Sequence, residues 1–163
     1  GLSASVLPLA VVGMRQKIKN FFNENPLGWG ATYANHPVAL ACAYESVKHV
    51  IKERIPERAA KMESVMVDEM KSIVERHSCV RQARAIGLFG CLDLVGPDGN
   101  MVQQYQDANP ERVVALRKAM LDEGLMGLFR PPLLHCAPPL VIQEDELRDG
   151  FQRLDRALCV ADW

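Results

Sequence analysis

The sequence predicts an α/β fold in which a small, largely antiparallel sheet packs against helices. Two observations lead to this prediction. From residue 37 onward, segments with apolar residues at helical spacing and short segments rich in β-branched and aromatic residues follow in the order helix, helix, strand, strand, helix, strand, helix. In addition, the 163 residues are 48% hydrophobic and 24% charged, a composition suited to one packed globular body.

The first 34 residues predict one strand and one short helix. Residues 6–12 form a nearly continuous apolar run, as in a strand buried on both faces, although Pro8 favours an edge strand or a strand start. Residues 14–22 then predict a helix that ends at a turn over residues 23–28. Because one strand and one helix do not cover a sheet face, we expect this part to dock onto protein outside the sequence or onto a second copy.

Two long helices follow. The first is predicted over residues 37–54, where apolar residues recur at helical spacing and lysines lie on the other side. Pro56 ends that pattern, and the second helix has Glu57 in its first turn and ends near residue 77. A stripe of methionines along it predicts a face that packs on the core.

The remaining elements alternate between strands and helices. They are strands over residues 80–85 and 87–95, a turn over 96–100, a helix with its cap at Asn109 and its stop at Gly124, an extended segment over 125–129, a strand over 133–137 and a helix over 144–160. The last helix begins with acidic residues that match the helix dipole.

Charge and composition narrow the range of partners. With 19 basic and 20 acidic side chains the net charge is -1, so no overall field favours nucleic acid or an anionic membrane surface. The longest apolar run, residues 6–12, is far shorter than the ~20 residues of a membrane-spanning helix. We therefore expect small-molecule partners rather than nucleic acid or a membrane.

The five cysteines are scattered and include no C-x-x-C pair and no cluster with histidine, so neither a metal site nor a disulfide framework is expected. Reduced thiols predict an intracellular protein, and we expect it to be cytoplasmic rather than mitochondrial. Cys91 and Cys136 lie in apolar strands and should pack as small hydrophobic side chains.

Residues 30–37, GATYANHP, have the composition of a phosphate-binding turn. Small residues let backbone amides approach an anion, Thr32 supplies a hydroxyl donor, and Pro37 occupies a helix start where its missing N–H is not needed. An ordinary loop is the alternative, since clusters of glycine, asparagine and proline also mark loops.

Four segments, in order along the chain, resemble motifs of the class III, or omega, aminotransferases, which use pyridoxal 5'-phosphate. Residues 1–10 resemble K-G-L-x-x-G-x-x-P-L-G, with the family lysine falling immediately before Gly1. Residues 30–37 resemble G-S-T-F-x-G-N-P, and residues 84–90 are similar to V-R-G-x-G-L-x. Residues 137–147 resemble A-P-P-L-x-I-T-x-E-E-L.

The resemblance implies the C-terminal part of a fold-type I pyridoxal-phosphate enzyme. Residues 1–54 would be the end of the large cofactor-binding domain with the interdomain helix, and residues 55–163 the C-terminal small α/β sandwich domain with a mostly antiparallel sheet. The whole enzyme would be a homodimer that moves an amino group from an amine or omega-amino acid to a 2-oxo acid. A same-fold decarboxylase, aminomutase or epimerase is a second interpretation, and a non-catalytic α/β interaction module is a third.

The resemblance also implies that the Schiff-base lysine lies outside this sequence. All seven lysines fall among polar neighbours on predicted helices, and none is a credible replacement. We therefore expect no catalytic residue here and no transamination by this chain alone.

The site residues are carried over from matching motifs. Thr32 takes the place of the threonine that binds the cofactor phosphate of the neighbouring subunit, and Ala31, where the family often has serine, offers only its amide. Arginine usually holds the substrate carboxylate. In ornithine-type enzymes that arginine stands where this chain has His135; in amine and omega-amino-acid:pyruvate enzymes it lies in an R-P-L-G-type loop, which Arg130 and the following residues resemble. We favour Arg130 over His135.

Overall fold

The computed structural model describes residues 2–32, 34–99 and 110–162, and the chain divides into two compact units, Gly1–Arg54 and Ile55–Trp163. Gly1, Tyr33, the turn residue Asn100 and the expected helix cap Asn109 lie outside the described residues.

The first unit contains two helices, α1 (Gln16–Glu24) and α2 (Pro37–Lys52). Helix α2 begins at Pro37, as the sequence predicts, because a proline at the first helical position removes an N–H that has no helical acceptor. It ends at Lys52, where the amide of Glu53 still donates to the carbonyl of His49 at 2.9 Å.

The strand predicted over residues 6–12 is wrong. The structure places no strand among the described residues of the first unit, and Val6, Val11 and Val12 are 63%, 68% and 83% exposed. A strand forms only where a neighbouring strand accepts and donates its backbone hydrogen bonds, and this unit supplies no such neighbour among its described residues. The apolar run therefore stays outside regular secondary structure, with these three valines uncovered.

The second unit is an α/β sandwich, which confirms the predicted fold class. Its elements are α3 (Ile55–Arg76), β1 (Val80–Ile86), β2 (Phe89–Leu94), α4 (Pro110–Asp122), β3 (Leu128–Arg130), β4 (Leu133–Cys136) and α5 (Glu144–Leu158). The strands form one four-stranded antiparallel sheet in the order β1-β2-β4-β3. Helix α3 starts at Ile55 and has Glu57 in its first turn, as predicted. Pro56 fits there because proline is accommodated in the first turn of a helix.

A tight turn joins β1 to β2. Ile86 pairs with Phe89, so Gly87 and Leu88 alone form the connection. The second strand therefore begins at Phe89, two residues later than predicted. Gly87 has φ +55°, a conformation that favours glycine at the first position of such a turn. Its amide donates to the Glu63 carboxylate of α3 at 2.6 Å, which fixes the turn against the helix.

One face of the sheet packs on the helices and forms the core. Leu92 and Leu134, at the centres of β2 and β4, are 0% and 1% exposed. Gly90 has no side chain there, and a Cβ added at this position would lie 2.6 Å from the Met70 sulfur and 2.7 Å from the Met66 methyl group. The two methionine tips, which the sequence predicts on the core face of α3, thus occupy the space above Gly90.

Side-chain contacts hold the last helix against α3. Arg58 donates to the carbonyls of Val141 and Ile142, both at 2.8 Å, and Arg148 contacts Glu69 at 2.6 Å. The amide of the residue just before α5 donates to a carboxylate oxygen in the first turn of that helix. Acidic residues fill that turn, as predicted from the helix dipole.

Candidate cofactor and substrate residues

The candidate phosphate turn lies immediately before α2. The amide of Ala34 donates to the carbonyl of Ala31 at 2.9 Å, which closes a turn around Thr32. Ala31 and Thr32 are both exposed, so the Thr32 hydroxyl is available to a ligand and is not enclosed in an apolar interior. Asn35 follows with φ +60° and turns the chain into the helix.

The start of α2, five residues after Thr32 in the chain, also offers backbone amides. The first amides of any helix have no intrahelical acceptor, and the helix dipole adds partial positive charge there. His36, at the capping position, makes no side-chain capping hydrogen bond to them. A hydroxyl and helix-start amides next to each other in the chain are the donors that a phosphate accepts.

The second unit carries three arginines on its sheet, Arg81 and Arg84 in β1 and Arg130 in β3. Arg84 is bound: its guanidinium lies 2.6 Å from the Asp93 carboxylate, which is only 3% exposed and also accepts from Gln82. The spacing of these residues along the chain does not indicate this pair, because it depends on the β1–β2 register that places Gln82 opposite Asp93. Arg84 is therefore occupied within the sheet.

Arg130, the predicted carboxylate anchor, is the last residue of β3. It pairs with Leu133 of β4 and is exposed. Its side chain has no hydrogen-bond or ion-pair partner within residues 2–32, 34–99 and 110–162. Of Arg84 and Arg130, Arg130 is thus the one whose guanidinium is available to a carboxylate.

His135 lies in β4, across from Leu128 of β3. Its Nδ1 is 3.1 Å from the Leu128 carbonyl oxygen, and because a carbonyl only accepts, Nδ1 carries the hydrogen. In the neutral ring Nε2 is then an acceptor and does not bind a carboxylate. The structure thus brings both predicted residues to the β3–β4 edge of the sheet, and this geometry favours Arg130 as the anchor.

The lysines are distributed as the sequence predicts. All seven are exposed on helices: Lys17, Lys19, Lys48, Lys52, Lys61, Lys71 and Lys118. A Schiff-base lysine needs an enclosed setting that lowers the pKa of its ammonium group, and an exposed helix face does not supply one.

An apolar cavity of about 140 Å³ lies beside β4, lined by side chains of α4 and α5 and by His135. No charged side chain lines it, so an anionic substrate gains nothing there. None of the described helices is long and apolar enough to cross a membrane.

The cysteines are free thiols that differ in reactivity. Burial raises the pKa of Cys136 to about 12, and burial together with the Asp162 carboxylate raises the pKa of Cys79 to about 12. At pH 8 a thiol with such a pKa is thiolate in roughly one molecule in ten thousand, and the thiolate is the reactive form.

We therefore expect iodoacetamide at pH 8 to label the exposed Cys159 and to leave Cys79 and Cys136 unmodified until the chain unfolds. Peptide mass spectrometry at increasing urea concentration measures this. Raising the pH towards 12 should increase labelling of the two buried thiols in the folded chain. Equal labelling of the three cysteines at pH 8 in the absence of urea would contradict the result.

Proteins of known family resemble this chain over nearly its whole length. The family profile described as aminotransferase class-III matches residues 1–158. An ornithine aminotransferase from Exiguobacterium is 27% identical over 160 residues, which are 98% of this chain and 36% of that protein. Ethanolamine-phosphate phospho-lyase homolog 1 from Caenorhabditis elegans is 27% identical over 93% of this chain and 32% of its own length.

A solved structure shows the same fold. The taurine:2-oxoglutarate aminotransferase from Bifidobacterium kashiwanohense, determined in complex with PLP and glutamate, superposes with a TM-score of 0.87 and 28% identity. The match covers 98% of this chain and 36% of that one. The chain spans about a third of the length of the relatives it matches, and it belongs to the class III aminotransferase family.

Proposed function

We propose that this chain is the C-terminal part of a pyridoxal-phosphate-dependent enzyme that transfers an amino group from an amine or omega-amino acid to a 2-oxo acid. The main support for the proposal is the family match over residues 1–158. In it, residues 1–54 form the end of the large cofactor-binding domain and residues 55–163 the small domain. The complete protein would act as a homodimer, since the family threonine reaches the cofactor of the neighbouring subunit.

The turn at Thr32 fits a phosphate group. Its hydroxyl is exposed, and the start of α2 has no side-chain cap. Thr32, its own amide and the amide of Ala31 would hold the phosphate dianion without a charged side chain. When bound, pyridoxal phosphate supplies the electron sink for amino-group chemistry.

Arg130 would orient the substrate by binding its carboxylate. A guanidinium binds a carboxylate through two parallel hydrogen bonds, which fixes both position and direction. Arg84 does not compete for this role because Asp93 already binds it. His135, which donates its Nδ1 hydrogen to the Leu128 carbonyl, helps only to hold the β3–β4 edge in place.

Removing the Arg130 guanidinium should weaken substrate binding in the complete enzyme. We expect Arg130→Ala to raise KM for a carboxylate substrate by about 10- to 100-fold, the loss of a hydrogen bond to a charged group. KM for an amine donor without a carboxylate should change little. Arg81→Ala, which removes another exposed arginine of the same unit, is the control. Equal KM changes for both donor types would contradict a carboxylate-binding role.

A same-fold lyase is the second candidate. The resemblance to the phospho-lyase homolog is as close, at 27% identity, as that to the ornithine aminotransferase. The two reactions differ in their products, because a phospho-lyase releases phosphate from a phosphorylated substrate and a transaminase converts an added 2-oxo acid into an amino acid. Product analysis of the complete enzyme distinguishes them.

An intracellular and cytoplasmic location is part of the proposal. All five cysteines are free, which agrees with a reducing compartment.

The proposal is tested by joining the chain to the segment that its gene encodes upstream. We expect the joined protein to bind pyridoxal phosphate in a borohydride-reducible form and to transfer amino groups, and the 163-residue chain alone to do neither. A joined protein that does not bind the cofactor would overturn the proposal, as would a gene whose coding region starts at Gly1.

A further inference from the structure

A histidine and a cysteine near the end of α3 meet an aspartate from the end of the chain's second unit. The nitrogen, sulfur and oxygen donor atoms of His77, Cys79 and Asp162 all lie within 4.8 Å of one another. His77 Nδ1 is 2.7 Å from Asp162 Oδ2, and the Cys79 amide donates to Asp162 Oδ1 at 3.1 Å. His77 and Cys79 are 5% and 2% exposed, whereas the Asp162 side chain is 28% exposed and reaches solvent.

A second carboxylate orients the histidine. His77 Nε2 is 2.9 Å from Asp155 Oδ1, which in turn lies 3.2 Å from the Arg76 guanidinium. Metal-binding histidines nearly always donate their other ring N–H to a carboxylate or carbonyl in this way. Because Asp155 takes the Nε2 hydrogen, Nδ1 is the nitrogen that turns towards Cys79 and Asp162.

We propose that His77 Nδ1, Cys79 Sγ and the Asp162 carboxylate bind one Zn²⁺ ion, with water as the fourth ligand. One nitrogen, one sulfur and one oxygen form a donor set typical of zinc, whose tetrahedral sites combine these ligands. The sequence alone predicts no metal site because Asp162 is far from His77 and Cys79 along the chain.

The surroundings of the cluster suit a cation. Both His77 nitrogens face carboxylates, and Arg76 lies beside Asp155. Zinc binding displaces the proton of the Cys79 thiol, because the thiolate is the form that binds metal.

The nitrogen and oxygen ligands need only a small adjustment. Tetrahedral zinc with ligands at about 2.0 to 2.3 Å separates a nitrogen and an oxygen ligand by about 3.3 Å. The present 2.7 Å between Nδ1 and Oδ2 must therefore open by roughly half an ångström. Asp162 lies after the end of α5, outside regular secondary structure, where such a shift disturbs no helix. Bound zinc would tie the end of α3 to the segment after α5.

Cobalt provides the test, because a thiolate bound to Co²⁺ gives a charge-transfer absorption band. The reduced 163-residue chain is stripped with a chelator and titrated with Co²⁺. We expect the band to saturate at one equivalent of Co²⁺ and to disappear when Zn²⁺ replaces Co²⁺. Zn²⁺ should also raise the Tm of the chain. Cys79→Ser should abolish the band, whereas the control Cys159→Ser, which removes the exposed cysteine, should keep it.

Two further variants make the result decisive. Asp155→Asn should weaken Co²⁺ binding about 10- to 100-fold and keep the band, as expected for a residue that acts through the histidine. Asp162→Asn should keep the band and weaken Co²⁺ binding at least about 10-fold. This variant tests the proposal if circular dichroism shows that Cys79→Ser does not fold. Absence of the band in the unmodified chain, a band that persists in folded Cys79→Ser, or unchanged affinity in Asp162→Asn would overturn the proposal.

Discussion

Replacing His77 by leucine is expected to lower the free energy of unfolding by about 3 kcal/mol, the lower end of the range for losing two hydrogen bonds to carboxylates. The ring joins Asp155 and Asp162, and leucine would leave both carboxylates without their main partner. The lower end applies because these carboxylates are 26% and 28% exposed, so water compensates part of the loss. Urea unfolding in the presence of a chelator measures the metal-free chain.

A matched control and a double variant test the reason for this loss. His49→Leu removes an exposed histidine of α2 and should change stability by less than about 0.5 kcal/mol. In an Asp162→Asn background, His77→Leu should be less destabilising, because one of the two carboxylates is already gone. The same loss in both backgrounds would show that the ring contributes by packing and not by its hydrogen bonds to the carboxylates.

Leu134→Ala should also be strongly destabilising, by about 2 to 5 kcal/mol, the range for truncating a buried leucine. Leu134 is 1% exposed at the centre of β4 and pairs with Leu92 on one side and Phe129 on the other. Alanine would open a cavity where the sheet meets its helices. Urea unfolding measures the change.

Leu128→Ala is the control, because Leu128 lies in the neighbouring strand and is 51% exposed. It should alter stability by less than about 1 kcal/mol. Similar losses for the two variants would mean that the two faces of the sheet are not packed as described.

The sequence predicts most of the fold because local periodicity determines it. Helices α2, α3 and α5 begin and end within a few residues of their predicted bounds, since proline, acidic first turns and apolar stripes act locally. The run over residues 6–12 does not form its predicted strand, because an apolar segment becomes a strand only beside a partner strand, and composition does not reveal whether that partner exists. The Gly87–Leu88 turn falls within a predicted strand for a similar reason. A glycine can lie in a strand or in a turn, and only the strand register shows which of the two applies.

In the candidate site, too, the sequence predicts local features and does not predict contacts between distant residues. The turn around Thr32 is a local feature, and the sequence predicts its position before a helix start. The pair of Arg84 and Asp93 depends on strand register, and the cluster around His77 depends on residues about eighty positions away. Neither is visible from spacing along the chain. The roles of Thr32, Ala31, Arg130 and His135 remain predictions that the complete enzyme must test.

Binding of the cofactor phosphate by Thr32 is tested most directly by the dissociation constant of pyridoxal phosphate from the joined protein and two variants. Thr32→Ala should weaken binding about 10- to 100-fold, because it removes a hydrogen bond to a charged group. Thr32→Ser, which keeps the hydroxyl, should bind nearly as tightly as the unmodified protein. Unchanged affinity in Thr32→Ala, or equal loss in both variants, would contradict this role.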